Sequence, residues 1–224
     1  RSSNISIHLR LFSNPKEFKN KKIIKSQIKK YKNLFGQNLK CIYIHKPLIK
    51  IEFLNLIVNE ILEENISAGA CIEKDNYLIL NKRHIENIEI PLNLIDLNKS
   101  TKLVNKCKAK NKIIFGRSLL ASGLLSLNNL SKKVYFDKFR SRFMNDKKTL
   151  EKRITTANDI YRFYKKLPNE KSKSFEWFCY DLVKMYCNPD KIILGGSSLA
   201  QLQNNLNYAP KEDMYIKDLN KLIF

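Results

Sequence analysis

"KCIYIHKPLIKIEFLNLIVNEILEENISAGAC", residues 40–71, sets a helix between two short apolar strands. The first run, "KCIYIH", is β-branched and aromatic and stops before Pro47. The second is "ISAGAC", residues 66–71. From Ile51 to about Glu64 the chain reads as a helix. A strand, a helix and a strand in succession cannot make a tight hairpin. The crossover carries the chain back to the start of the sheet, so the two strands pair in parallel.

Outward from this unit the rhythm continues. "NISIHLRLF" reads as a strand before it, and Glu17 to Leu34 as a helix through Phe18, Ile23, Ile24, Ile28, Tyr31 and Leu34. After it come a short helical stretch from Asp75 to Leu80, the strand "IEIPL" and a helix from Ser100 to Lys110. The strand "KIIFGR" follows, then a less regular region from Leu119 to Lys148. Two strong helical patterns, Thr149–Leu167 and Ser174–Tyr186, lead to the strand "KIILGG". A helix from Ser198 and another near Asp213 to Leu222 close the pattern. No Asn-Gly turn offers a hairpin. An α/β fold with a parallel sheet is expected, and periodicity fits an open doubly wound sheet and a closed (β/α)8 barrel alike. No low-complexity linker divides residues 1–224, so one domain is expected.

The 224 residues are 43% hydrophobic and 28% charged, enough apolar content to bury a core. No apolar run nears the roughly 20 residues that span a bilayer, so no membrane partner is expected. The opening "RSSNISIHLRLF" has neither Met nor an apolar signal region and reads as the middle of a longer protein. Five cysteines without CxxC spacing read as reduced cytoplasmic thiols, and no metal site is expected. The net charge of +21 raises nucleic acid as a partner. The lysines are spread among Asn and Ile throughout, however, which reads as general basicity rather than a binding surface.

In parallel α/β folds the chemistry collects at the carboxyl ends of strands. Those ends hold His45; Gly69 and Cys71; Glu89, Pro91 and Asn93; Arg117 and Ser118; and Gly195 and Gly196. Each has an ordinary structural reading. A His after a strand is commonly a loop residue, Asn93 a turn former, Arg117 a surface ion-pair partner. The chain has only six glycines and sets two together at 195 and 196, where a strand meets a helix. Backbone N–H groups at such a place suit an anion.

Taken in order, these segments resemble the aldo-keto reductases. "CIYIHKP" resembles the family's "lylHwp", "ENISAGAC" its "GkiraiGvS", and "IEIPLNLID" its "vQvpyNlld". "KIIFGRSLLASGLL" resembles "viaysPLgrGlL", and "KIILGGSSLAQLQNNL" resembles "viPGasSveqLeeNL". The resemblance implies a (β/α)8 TIM barrel, here incomplete, from about strand 3 to the C-terminus. It implies hydride transfer from NADPH or NADH to a small-molecule carbonyl substrate, with the family's Asp and proton-donating Tyr lying before Arg1. His45 takes the position of the catalytic His, and Arg10 that of the catalytic Lys if "HLRL" matches "aTKl". The nicotinamide carboxamide falls to Cys71, Ile72 and Glu89, where the family has Ser, Asn and Gln. Ser118 belongs to the cofactor side. Gly195, Gly196, Ser197, Ser198, Gln201 and Asn205 fall at the phosphate and adenosine end.

The departures matter chemically. Arg keeps a positive charge but does not readily give up a proton. Cys donates more weakly than Ser, Ile donates nothing, and Glu accepts but cannot donate. Two readings from other classes stand beside the reductase: a non-catalytic barrel of the same family kept for binding, and a basic nucleic-acid-associated protein.

Overall fold

The computed structural model describes residues 6–11, 20–45, 51–74, 76–130, 147–167, 174–195 and 203. Six strands form one sheet in chain order: β1 (Ile7–Leu11), β2 (Leu39–Ile44), β3 (Ser67–Cys71), β4 (Ile85–Pro91), β5 (Ile113–Arg117) and β6 (Lys191–Ile192). The registers of β1 with β2, β2 with β3 and β3 with β4 are all parallel. The helices are α1 (Lys21–Phe35), α2 (Ile51–Glu63), α3 (Tyr77–Leu80), α4 (Leu97–Lys108), α5 (Leu127–Leu130), α6 (Lys147–Lys165) and α7 (Phe175–Cys187). A parallel sheet with helical crossovers supports an incomplete (β/α)-barrel-like fold. The helix expected from Ser198 and the one near Asp213 lie outside the described residues.

Contacts group the chain into two compact units. The first comprises Arg1–Ile90, Lys102–Phe115 and Pro189–Lys191. In it α1 packs against β2 and α2 against β3. Ile24 and Ile28 of α1 are buried, with Leu54, Ile57, Val58 and Ile61 of α2 and Ile42, Ile44, Ala68 and Ala70 of the strands. These strand residues share one parity of the pleat, so this face is the apolar, helix-covered one. Asn20 starts α1 by accepting the Lys22 N–H at 2.9 Å. Gly36 ends α1 at φ 55°, where its own N–H reaches the Lys32 carbonyl. Lys112 is buried and its Nζ donates to the carbonyls of Lys82 at 2.7 Å and Ile85 at 2.8 Å. Burial holds that ammonium below its ordinary pKa.

The second unit comprises Pro91–Thr101, Gly116–Asn188 and Ile192–Phe224. Its core gathers Leu124, Leu125, Ala157 and Ile160 around Phe175, Phe178, Cys179 and Leu182. Ser174 caps α7 by accepting the Trp177 N–H, and Asn188 closes it in the left-handed conformation. α4 begins at Leu97, three residues before its expected start, because Asn93 accepts the Asp96 N–H and nucleates a turn ahead of it. Arg153 of α6 then grips Asp96 with two parallel bonds of 2.7 and 2.8 Å.

Candidate active site

The other parity of the first unit's strands is polar. It carries His8 and Arg10 on β1, Cys41 and Tyr43 on β2, Gly69 and Cys71 on β3, and Asn87 and Glu89 on β4. Register aligns them in rows: His8 lies beside Cys41, while Arg10, Tyr43, Gly69 and Asn87 form the next row. Cys71 and Glu89 stand two residues further toward the carboxyl ends. Asn87 is 8% exposed and Glu89 1%, so these polar groups need protein partners.

Glu89 finds two. The Arg10 guanidinium meets it side-on, with Nε donating to Oε2 at 2.8 Å and Nη2 against Oε1. Cys71 donates its thiol proton to the same Oε2 at 3.3 Å. Three strand spacings of about 4.8 Å separate β1 from β4 along a flat sheet. A direct bond between their side chains therefore needs this part of the sheet to coil, with both groups inside the curve.

Beneath this clasp lies an aromatic layer. Tyr43, His8 and Phe115 have ring centroids 5.2–6.0 Å apart, and Tyr43 Oη lies 3.5 Å from His8 Nδ1. Gly69 makes room for it: a Cβ there would stand 2.7 Å from Tyr43 Cδ1 and 2.9 Å from the Asn87 carbonyl oxygen. Burial pushes the Cys41 thiol up to about 12, against the pull of hydrogen bonds from Tyr43 and Asn87. It drives the Tyr43 phenol upward too and holds His8 below the ordinary histidine value. Around neutrality all three are uncharged.

The expected site residues divide accordingly. Arg10, Cys71 and Glu89 come together in one network. His45 follows β2 directly, its N–H donating to the Leu11 carbonyl at 3.0 Å, and its position has the parity of Cys41 and Tyr43. Ile72 is buried and offers a backbone N–H to the Glu89 carbonyl. In the second unit, Ser118 adopts φ 57° just after β5 and accepts from Arg117 Nη1 at 3.2 Å. Among the described residues, and setting aside its chain neighbours, no atom lies within 4 Å of where a Gly195 Cβ would stand. Gly196, Ser197, Ser198, Gln201 and Asn205 lie outside the described residues. His8, Tyr43 and Asn87 join the expected residues on this face. Their signal was available as two-residue spacing from Arg10, His45 and Glu89.

Among the described residues no group of three or more His, Cys, Asp and Glu side chains could hold a metal ion, and no helix is long and apolar enough to cross a membrane. A cavity of about 460 Å³ in the second unit is lined by Leu94, Leu97, Thr156, Asp159 and Ile160, none of them an expected site residue.

The sequence model of the aldo/keto reductase family matches residues 80–223, more than half of the chain. The chain belongs to the aldo/keto reductase family. Its fold is similar to that of the glycerol dehydrogenase AKR11B4 from Gluconobacter oxydans, with a TM-score of 0.66 at 14% identity. That likeness covers 91% of this chain and 64% of the dehydrogenase. No curated protein matches.

Nicotinamide dinucleotides are the cofactors the family implies, and the nicotinamide end does not fit this set of side chains well. A carboxamide presents two N–H donors and one carbonyl acceptor. The positions that the resemblance assigns to it hold the Cys71 thiol and Glu89 carboxylate, already bonded to each other, and the apolar side chain of Ile72. Glu89 is also the ion-pair partner of Arg10.

Proposed function

We propose that this protein is an NAD(P)H-dependent oxidoreductase acting on the carbonyl group of a small molecule, an aldehyde or ketone. On this reading its sheet is six strands of a (β/α)8 barrel in a single domain spanning residues 1–224. Its reduced thiols would suit the cytoplasm. The observation that supports it best is the placement of His45, directly after β2 and on the parity of the buried polar face. An imidazole there could donate a hydrogen bond to the substrate oxygen as negative charge develops on it. The dinucleotide supplies the hydride when bound. Arg10 contributes fixed positive charge rather than a transferable proton. Ser118, Gly195, Gly196, Ser197, Ser198, Gln201 and Asn205 are the cofactor-binding residues on this reading.

The test is consumption of NADPH by the intact protein with a panel of aldehydes and ketones. His45→Ala should lower kcat more than it weakens cofactor binding, because the ring acts on the carbonyl. A variant with unchanged kcat removes the role.

One observation favours a second reading. The bidentate pair between Arg10 and Glu89 engages the residue at the catalytic Lys position, as would suit a family barrel kept for binding without turnover. Saturable NADPH binding with no turnover on any carbonyl would establish that alternative.

A further inference from the structure

We propose that Arg10, Glu89 and Cys71 form a closed clasp whose side chains bond one another rather than a nicotinamide carboxamide, so that the nicotinamide adds little to the binding of a dinucleotide. The inference deepens the reading of a dinucleotide-dependent enzyme and rests on it. It follows from the bonding capacity of the buried face.

Glu89 is 1% exposed, and both of its carboxylate oxygens face Arg10. Oε2 also takes the Cys71 thiol proton, the one proton that side chain has to give. A carboxamide entering here would compete with a side-on, charge-assisted pair for neutral hydrogen bonds. Charge-assisted bidentate pairs are the stronger kind. Opening this one would take the guanidinium away from a buried carboxylate, although Arg10, whose side chain is 42% exposed, would regain water. The buried partner decides the balance, and the clasp stays shut. Gln at position 89 and Ser at 71 would have both donors and acceptors to spare. Glu89 and Cys71 here are already bonded to each other.

The clasp also makes residues 10 and 89 interdependent. Glu89→Gln alone strands the guanidinium beside an amide that cannot neutralise it. Arg10→Met alone leaves a buried carboxylate without its guanidinium partner. The two together remove both charges.

The test compares binding of NADPH with binding of 2′-phospho-ADP-ribose, which lacks only the nicotinamide, by calorimetric titration of the intact protein. The parent should bind both within about threefold of each other. In Arg10→Lys/Cys71→Ser/Glu89→Gln, NADPH should become the tighter ligand by about tenfold or more. A parent that already holds NADPH about tenfold tighter than the truncated ligand overturns the clasp and leaves the cofactor reading intact. Failure of both ligands to bind parent and triple variant overturns the cofactor reading and the clasp with it. If the triple variant does not fold, the parent's own ratio still decides. Thermal melts give a further reading: Arg10→Met/Glu89→Gln should melt above both single variants, and a double variant that melts below them counts against the pairing.

Discussion

Gly69→Ala should destabilise the protein through one identifiable contact set. The new methyl would stand 2.7 Å from Tyr43 Cδ1, 2.8 Å from Tyr43 Cε1 and 2.9 Å from the Asn87 carbonyl oxygen. Carbon atoms pack comfortably at about 3.5–4.0 Å, so the ring would have to retreat by roughly 0.7–1.3 Å. Its retreat is hindered by the flanking rings of His8 and Phe115. The Asn87 oxygen is backbone of β4, paired in register with Gly69, and cannot move without disturbing the ladder. Overpacking of this kind costs about 1–3 kcal/mol, and a hindered ring beside a fixed backbone oxygen argues for the upper half. Alanine returns about 0.4–1 kcal/mol by restricting the unfolded chain. A net loss of about 1–2.5 kcal/mol is expected. Equilibrium urea unfolding of the intact protein measures it. In a Tyr43→Ala background the same change should cost clearly less, because one of the two neighbours is gone. An unchanged or raised urea midpoint for Gly69→Ala would refute the packing described for the buried face.

Three more outcomes follow from the same geometry. All five cysteines are buried thiols and burial holds Cys41 up to about 12, so a thiol reagent at pH 8 should label no cysteine rapidly until denaturant is added. On alkaline titration stability should fall: between the ordinary thiol value of 9.0 and about 12 the folded chain keeps the Cys41 proton that the unfolded chain has lost. The slope from that group is at most about 1.4 kcal/mol per pH unit, and Tyr180, raised by burial to about 12, adds to it above the ordinary tyrosine value. A denaturation midpoint that stays flat from pH 8 to 11 would contradict the burial of these groups. In the second unit, burial alone would raise the Asp96 carboxyl, but the Arg153 fork outweighs it and the pKa lies below 3.8. Stability from that pair is present above the unfolded value and lost as pH falls through the folded one. Arg153→Met should therefore cost about 1–2 kcal/mol at neutrality, after discounting for partial exposure, and markedly less in strong acid. Equal losses at both pH values would remove the pair from the account.

The strands and long helices were legible because each is a short apolar run or a helical stripe of its own. β4 extends back to Ile85, earlier than "IEIPL" suggested, because Lys112 secures the carbonyls of Lys82 and Ile85 from a position remote in sequence. β6 keeps only Lys191 and Ile192 of the expected "KIILGG" in the sheet. Neither adjustment has a local signal. Among the site residues, the strand-end positions of His45, Cys71 and Glu89 could be read from the alternation of strand and helix. Their bonding could not. Arg10 and Glu89 are 79 residues apart, and only parallel register and coiling of the first unit's strands bring them together. Tyr43 was hidden for a different reason: within "CIYI" it looks like one more apolar strand residue, and its role shows only once Gly69 is found beneath its ring.

The most direct test of the oxidoreductase reading is the transfer of deuterium from NADPH deuterated at the nicotinamide C4 position to a carbonyl substrate, followed by mass spectrometry of the alcohol product. Label accumulates even when turnover is slow, as expected with the clasp closed. The account predicts deuterium at the former carbonyl carbon with the intact parent protein and a clear fall with His45→Ala. Product without label, or equal labelling by parent and His45→Ala, would contradict it.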